Sequence, residues 1–462
     1  MSNSKYYLDH ISLRVPGDEL KKHEAEAPIK EDFKLYTMDL SYFSGKMEMY
    51  MRYKEITFQR TEPHALEFES ILCENTGTEQ LPQLYDCRKN TPSDKRWLRD
   101  TTPMIEYLEK DVSISKTSLP VIPECEIQAF FQRLFEDYAD EYLWRPAMFW
   151  RWEPEFDRKI MGHRFYWEFA RTTQFRFWLI PPMFRPLLLS LRQWLLSSWG
   201  EDCTTQAKKE VVKEQYYELL EILEKILQKQ PYLFGNHPTL IDFGFAGPFF
   251  RHFSSDFTPR KVMQQKAPAV YEWMARLWNC TSSKMRSIPN GFPPPGSLPQ
   301  CWDELFPLLP DYLTYYHLNA VAYKKGEAYF SWINKGQAFR VPVVHYRVWC
   351  RKKLQEHYTN CDFASQKSMK EIMMKHNIWE LFWKDGVVDA PPECNMEPPF
   401  AIARAALPWR ERTRLSYKWD ADSIFASYFL QVGVKVVLSV SAVLLLSQLL
   451  EEPLNTRVTV DI

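Results

Sequence analysis

Residues 33–62 read FKLYTMDLSYFSGKMEMYMRYKEITFQRTE, and this stretch decides how the first part of the chain folds. Residues 33–38 and 56–62 alternate between apolar and polar side chains, which predicts two short β-strands. Residues 45–54 carry apolar side chains near one face at helical spacing, so they predict an amphipathic helix. The order strand, helix, strand predicts a βαβ unit.

Two further signals follow this unit. Residues 80–86, QLPQLYD, read as a strand interrupted by Pro82, and a proline in a strand is confined to an edge or to a special geometry. The charged stretch 87–100 then predicts a solvent-facing hairpin at the edge of a sheet. Residues 100–103, Asp-Thr-Thr-Pro, predict the start of a helix, because a polar cap is followed by proline at the first helical position.

Helical periodicity dominates from about residue 124 to Cys280. Within this region Thr239 and Asp242 have the spacing of a capping box, and we interpret both as structural. Residues 288–300, IPNGFPPPGSLPQ, are dense in proline and glycine and predict a domain boundary. We divide the chain into a flexible leader (1–31), an α/β domain (32–116), an all-helical domain (124–287), an extension with helices (288–422), an apolar terminal helix (423–450) and a short tail (451–462).

Composition and charge exclude some classes of partner. Lysine and arginine number 58 against 59 for aspartate and glutamate, so the net charge gives no support to nucleic-acid binding. Aromatic residues make up 15% of the chain, which indicates large cores, apolar interfaces or a membrane-facing surface. The nine cysteines are scattered without a CxxC pair, so we expect a reducing compartment and no metal site. The amino terminus lacks an apolar signal core, which predicts a cytosolic start of synthesis.

The segment from Ile424 to Leu450 is apolar except for Lys435 and has the length that a membrane-spanning helix needs. Arginines precede it, and the short tail after it begins with acids. The positive-inside rule therefore places the large domains in the cytosol, and the position near the carboxy end predicts a tail-anchored protein. A buried core helix is the alternative, and the protein would then be cytoplasmic.

Four stretches resemble the glutathione transferase superfamily over about residues 33–280. They are SYFSGKMEMYMRYKEI (41–56), QLPQL (80–84), DTTPMIEYLE (100–109) and PYLFGNHPTLIDFGFAG (231–247). Residues 136–155, EDYADEYLWRPAMFWRWEPE, also resemble an uncharacterised transferase-like subgroup. The resemblance implies a thioredoxin-like α/β domain followed by an all-α domain of the glutathione transferase type, here with an extra C-terminal region and a terminal hydrophobic helix.

The resemblance also implies a glutathione site made of five residues. In such folds the proline before the third strand is cis, and the residue before it offers its backbone to the cysteinyl part of glutathione; these are Pro82 and Leu81 here. Asp100 and Thr101 match the family's acid and hydroxyl, so Asp100 is expected to take the γ-glutamyl ammonium and Thr101 its carboxylate. Ser41 matches the catalytic position, where a hydroxyl that donates to the thiolate lowers the thiol pKa.

Simpler roles remain open for the same residues. Pro82 can be a trans proline on an edge strand, and the helix start at Thr102 can be a plain cap. The serines at positions 41 and 44 can also be caps only, and Ser44 or Tyr42 is an alternative donor to the thiolate. Because both positions at which redox relatives carry a cysteine pair are serine, disulfide exchange is disfavoured.

Other polar groups carry less weight. Four acids follow one another at helical spacing: Glu136, Asp137, Asp140 and Glu141. They can be read as paired carboxylates, but because arginines stand nearby we interpret them as a charged helix face. Three histidines lack partners at metal spacing: His163, His237 and His252.

Two hypotheses for function follow. The first is an enzyme that conjugates glutathione to a small apolar electrophile, with Ser41 polarising the thiol, an apolar second pocket shaped by the helical domain, no metal, and a homodimer as the expected assembly. The second is a non-catalytic scaffold or adaptor held on a membrane by residues 424–450, as the resemblance to tail-anchored relatives on the mitochondrial outer membrane implies; the endoplasmic reticulum is the other candidate membrane. The insertion 87–99 and the extra residues 281–422 favour the second hypothesis.

Overall fold

The structure, a computed structural model, describes residues 31–63, 71–72, 74–78, 80–166, 168, 185–200 and 202–390. Within these ranges the chain forms a four-stranded sheet with its helices, a larger helical part, and an extension of helices and a two-stranded sheet. The predicted terminal helix 423–450 and nearly all of the predicted leader 1–31 lie outside the described residues.

The first part of the chain is built on a four-stranded mixed sheet. β1 (Phe33–Tyr36) pairs in parallel with β2 (Phe58–Thr61), and α1 (Tyr42–Tyr53) connects them, which confirms the predicted βαβ unit. β3 (Gln83–Asp86) lies antiparallel to β1 and to β4 (Trp97–Arg99), so the strand order is β2-β1-β3-β4. The charged hairpin therefore lies at the sheet edge, as predicted.

A second helix completes this α/β part. α2 (Thr101–Glu109) follows β4 directly, and single helical turns occupy Glu74–Thr76 and Val112–Ser115. A βαβ unit followed by two antiparallel strands and a helix is the thioredoxin-like topology that the resemblance implies.

The second part of the chain is helical, as its periodicity predicts. Its helices are α3 (Glu126–Asp137), α4 (Trp144–Trp152), α5 (Glu155–Phe165), α6 (Arg185–Gly200), α7 (Gln206–Leu227), α8 (Leu240–Pro248), α9 (Phe257–Lys266) and α10 (Pro268–Asn279), with one further turn at Ser282–Met285. Two π-helical segments, Tyr138–Tyr142 and Phe249–Phe253, continue α3 and α8.

Helix α8 joins the two parts in one core. All of its residues are buried, and it packs against both α1 and α3. It begins with the predicted capping box, in which the Asp242 carboxylate accepts the backbone N–H of Thr239 at 3.0 Å. Gly244 allows the close contact with α3, because a Cβ atom at this position would lie 2.8 Å from Cγ of Glu136.

The extension packs onto the helical part. It contains α11 (Leu309–Lys324), β5 (Tyr329–Asn334), β6 (Gln337–Pro342), α12 (His345–Thr359), α13 (Phe363–Lys375) and α14 (Trp379–Trp383), preceded by 3₁₀ turns at Gln300–Glu304 and Phe306–Leu308. β5 and β6 form a hairpin whose two-residue turn has Lys335 and Gly336 at positive φ. Trp302 and Phe306 contact the ring of Phe135 edge-on at 5.3 and 5.5 Å, so the extension shares the core of α3.

None of the helices in the described ranges combines the length and the apolar character needed to cross a bilayer. The segment Ile424–Leu450, on which the anchor prediction depends, lies outside those ranges.

Candidate functional site

The ends of three strands meet at one edge of the four-stranded sheet. Tyr36, the last residue of β1, pairs with Gln83, the first residue of β3. Gln83 in turn pairs with Arg99, the last residue of β4. The chain therefore leaves β1, enters β3 and leaves β4 at the same edge. The five residues predicted for the glutathione site follow or precede these strand ends within a few positions, so the structure brings them together.

Ser41 forms the cap at the amino terminus of α1. Its Oγ accepts a hydrogen bond from the backbone N–H of Ser44 at 3.3 Å, and its hydroxyl donates to the carbonyl oxygen of Leu81 at 3.5 Å. The side chain is half-buried. Because a helix amino terminus carries partial positive charge, a hydroxyl donor and a favourable dipole coincide at this point. This combination stabilises a thiolate.

The peptide bond between Leu81 and Pro82 is cis, the conformation that the resemblance implies. The turn before this bond is held by the fully buried side chain of Gln83, whose Nε2 donates to the carbonyl oxygens of Thr78 at 2.7 Å and Gln80 at 3.1 Å. Sequence reasoning missed this role of Gln83, because nothing in QLPQL distinguishes it from an ordinary strand residue.

Asp100 and Thr101 begin α2 beside the cis bond. Asp100 has φ of 66°, and its carboxylate accepts the N–H of Thr102 at 3.4 Å, so Asp100 and not Thr102 is the cap of α2, and Pro103 is the third residue of the helix. Its second oxygen accepts a hydrogen bond from the hydroxyl of Tyr346 in the extension. Thr101 is 2% exposed, and its hydroxyl has no hydrogen-bond partner among the described residues. No local sequence signal indicates the contact with Tyr346.

The two alternative donors to a thiolate are buried. The Tyr42 hydroxyl donates to the carbonyl oxygen of Ala139 at 2.5 Å, and burial raises the pKa of Tyr42 well above its usual range. Ser44 is also fully buried, and its Oγ accepts the N–H of Met38 at 3.4 Å. Of the three hydroxyls in residues 41–44, that of Ser41 is therefore the most accessible.

Two arginines of the helical part hold the loop between β1 and Ser41. Arg151 donates to the carbonyl oxygen of Leu40 at 2.7 Å and forms an ion pair with Asp256 at 2.9 Å. Arg251 donates to the carbonyl oxygen of Met38 and forms an ion pair with Glu48 at 2.5 Å. Both arginines are far from the loop in sequence, and sequence reasoning missed them.

The interpretation of the acids at the end of α3 as an ordinary charged helix face is wrong for Glu136 and Asp140. Both are buried and lie 2.5 and 2.6 Å from Nζ of Lys46, which is itself fully buried on α1. Burial alone would lower the pKa of Lys46, but the carboxylates of Asp140 and Glu136 raise it above its usual value. Thr102 donates to Glu136 at 2.6 Å, so this cluster joins α1, α2 and α3.

The other two acids of this run face the extension instead of solvent. Asp137 accepts hydrogen bonds from the hydroxyls of Tyr312 and Tyr316, the latter at 2.5 Å. Glu141 is 4% exposed and forms an ion pair with Arg347 at 3.2 Å. The polar run at the end of α3 is therefore an internal interface with two other parts of the chain.

Phe43, two residues after Ser41, belongs to a stacked pair of aromatic rings. Phe43, on the first turn of α1, is half-buried and stacks on the half-buried Trp144 with ring centroids 6.2 Å apart and planes 9° apart. Such a pair of aromatic faces can accept a flat apolar group.

The histidines noted in the sequence lie apart. His252 is buried, with Nδ1 3.4 Å from the carbonyl oxygen of Ala147, whereas His237 lies 2.7 Å from the carbonyl oxygen of Ile288 and His163 is exposed. Within the described ranges, no group of three or more histidine, cysteine or acidic side chains has the arrangement of a metal site.

Several solved structures and one family model are similar to this chain, whereas no curated protein matches it. Similar solved structures include the beta-etherase LigF from Sphingobium sp. strain SYK-6, with 19% identity over 55% of this chain and 97% of that chain and a TM-score of 0.37. A glutathione transferase family member from Pseudomonas fluorescens pf-5 with two glutathione bound has 13% identity over 55% and 91% of the two chains, with a TM-score of 0.33. A glutathione transferase from Populus trichocarpa has 15% identity over 55% and 96%, with a TM-score of 0.35. The family model for the glutathione S-transferase C-terminal domain matches residues 179–279, so over α6 to α10 this chain is similar to that domain.

Proposed function

We propose that this chain binds glutathione at the edge of the four-stranded sheet and conjugates it to a small apolar electrophile. The observation that carries the proposal is the convergence of Ser41, the cis peptide bond before Pro82, and the start of α2 at Asp100, with Ser41 Oγ 3.5 Å from the carbonyl oxygen of Leu81. The match of residues 179–279 to a glutathione S-transferase C-terminal domain supports it from the other half of the fold.

Each part of glutathione has a chemically suited partner in this proposal. The backbone of Leu81 binds the cysteinyl part through hydrogen bonds of the kind that join neighbouring strands. Asp100 takes the γ-glutamyl ammonium, while Thr101 and the N–H groups at the start of α2 take the carboxylate, because a helix amino terminus favours an anion. The thiol then points toward Ser41.

In this proposal Ser41 stabilises the thiolate form of bound glutathione. A free thiol has a pKa of about 8.5 and is mostly protonated at neutral pH. A hydrogen bond from the Ser41 hydroxyl, together with the amino terminus of α1, lowers this pKa, and each unit corresponds to about 1.4 kcal/mol. The stacked rings of Phe43 and Trp144 are our candidate for one wall of the electrophile pocket.

The test compares wild type with Ser41→Ala. We expect the pKa of bound glutathione, followed by the ultraviolet absorbance of the thiolate, to rise by about one unit in the variant. S-methylglutathione, which has no thiol to ionise, serves as the matched control and should bind both proteins equally. An unchanged thiol pKa would exclude Ser41 from this role, and no binding of glutathione by the wild type would overturn the proposed function.

A second candidate is a non-catalytic scaffold with the same fold. The observations that favour it are that one oxygen of Asp100 is engaged by Tyr346 and that Thr101 is only 2% exposed. Calorimetric titration of the full chain with glutathione separates the two candidates, because a scaffold of this kind gives no saturable heat.

Membrane anchoring is a separate part of the proposal. We propose that Ile424–Leu450 anchors the chain in the mitochondrial outer membrane or the endoplasmic reticulum, with the folded parts facing the cytosol. The full chain should stay with membranes after alkaline extraction, whereas a chain without residues 424–450 should be released. A homodimer is also proposed, and its mass by sedimentation equilibrium is the measurement.

A further inference from the structure

The extension reaches the candidate glutathione site through the first turn of α12. Arg347 on this turn forms an ion pair with Glu141 at 3.2 Å and donates to the backbone carbonyl oxygen of Glu141 at 3.1 Å. Both side chains are buried, at 4% and 3% exposure. A buried arginine that makes both an ion pair and a hydrogen bond to the same residue is a rigid contact. The start of α12 is therefore fixed against the π-helical segment after α3.

This contact determines where Tyr346, the preceding residue, can lie. Its side chain is 4% exposed, its ring stacks on Trp349 at 5.5 Å, and its hydroxyl donates to Oδ2 of Asp100. Burial raises the pKa of Tyr346 well above its usual range, so the hydroxyl remains a donor at neutral pH. Tyr346 and Arg347, which are neighbours in the chain, therefore hold α12 against both the helical part and the sheet edge.

Asp100 keeps acceptor capacity despite this contact. A carboxylate offers about four lone-pair sites, of which Tyr346 and the N–H of Thr102 use two. Asp100 is also half-buried instead of fully buried. The hydrogen bond from Tyr346 thus restricts the rotation of the carboxylate without occupying all of its acceptor sites.

We infer that Tyr346 is a positioning residue that holds the Asp100 carboxylate ready for the γ-glutamyl ammonium and so gives the site its preference for an amine-bearing ligand. This inference rests on the proposed function. Its physical basis is preorganisation: a carboxylate already fixed in the binding orientation loses less freedom when a cation binds. The resemblance does not include the extension, so this device belongs to the added part of the chain.

The test uses Tyr346→Phe, which removes the hydroxyl and keeps the ring that stacks on Trp349. Binding is measured by calorimetry on the full chain with glutathione and with the analogue in which glutaryl replaces γ-glutamyl, so that only the amine is absent. We expect the wild type to prefer glutathione, and we expect the variant to reduce this preference about tenfold through weaker binding of glutathione alone.

Tyr316→Phe is the matched control. It also removes a tyrosine hydroxyl of the extension from a carboxylate, that of Asp137, but at a contact outside the candidate site. It should leave the preference unchanged.

Three results would overturn the inference in distinguishable ways. If Tyr346→Phe keeps the wild-type preference, the inference fails while the proposed function stands. If it binds glutathione more tightly, Tyr346 competes with the ligand and the positioning role is wrong. If the wild type binds neither ligand, the proposed function fails and the inference fails with it.

Discussion

Lys46 is a buried charge that joins the α/β part to the helical part. Its ammonium lies 2.5 Å from Glu136 and 2.6 Å from Asp140, and it is fully buried. Lys46→Met leaves two carboxylates without a cation in a site of low polarity. We expect the free energy of unfolding to fall by about 3–5 kcal/mol, because removing one partner of a buried ion pair leaves an uncompensated charge. Urea denaturation at neutral pH measures this loss.

The control for Lys46 is Lys159→Met on α5. Lys159 also forms an ion pair, with Glu155 at 2.7 Å, but both side chains are about 70% exposed. Water replaces such a contact at little cost, so we expect no measurable change in stability. If the two variants unfolded at the same urea concentration, the buried cluster would contribute no more to stability than an exposed ion pair does.

Asp137 gives the protein a stability that depends on pH. Burial, together with the nearby Glu141, raises the pKa of Asp137 to about 7, although the hydroxyls of Tyr312 and Tyr316 oppose the shift. The unfolded chain has an aspartate pKa of about 4, so unfolding releases a proton between about pH 4 and pH 7. The contribution of this group is present at low pH and is lost as the pH rises, with a total of at most about 4 kcal/mol.

Asp137→Asn removes this titration and keeps a similar shape. The free energy of unfolding of the variant, relative to the wild type, should therefore rise as the pH increases from about 4 to about 7. Guanidinium unfolding at several pH values across this window provides the measurement. A relative free energy that stays flat or falls with pH would contradict the shifted pKa.

At the scale of elements, local signals in the sequence predict α1, α2 and α8 well. The polar caps Ser41 and Asp100 and the pair Thr239 and Asp242 act within three residues of the helix that they begin, so a short window contains the information. The alternating runs predict the βαβ unit for the same reason.

The acids at the end of α3 show where this prediction fails. A solvent-facing helix and a buried polar interface have the same spacing of charges, and only the partners distinguish them. The partner of Glu136 is 90 residues away, and that of Glu141 is 206 residues away. The contact of Tyr346 with Asp100, which spans 246 residues, was missed for the same reason.

Asn319 connects α11 to the start of α12 and so to Tyr346. Its fully buried amide donates to the carbonyl oxygen of Val344 at 2.9 Å and accepts the N–H of Val344 at 2.8 Å. Asn319→Ala leaves both backbone groups without a partner in the core, and we expect a loss of about 2–4 kcal/mol in urea denaturation. Asn279→Ala, which removes an exposed amide that donates to Ala275 at 2.8 Å, should cost much less. Equal losses would contradict a structural role for the paired amide.

At the scale of the whole molecule, the extension completes the core of the helical part. Trp302 and Phe306 pack on Phe135, and Tyr316 and Arg347 hold the buried acids Asp137 and Glu141. A chain that ends at residue 287 would lack Trp302 and Phe306, expose the ring of Phe135, and leave the acids without their donors. Each aromatic side chain contributes about 1.5–3 kcal/mol by its burial, so the losses together approach the stability of an ordinary domain.

We therefore expect the chain that ends at residue 287 to lose cooperative unfolding and to bind a hydrophobic dye, because apolar surface is exposed without specific packing. The chain that ends at residue 390 keeps every contact described above and should unfold in one cooperative transition, which makes it the matched control. Circular dichroism in the near ultraviolet during a thermal scan measures both. If the shorter chain melted cooperatively at the temperature of the longer one, residues 288–390 would be an independent unit, and Tyr346 would have to reach Asp100 from a separately folded domain.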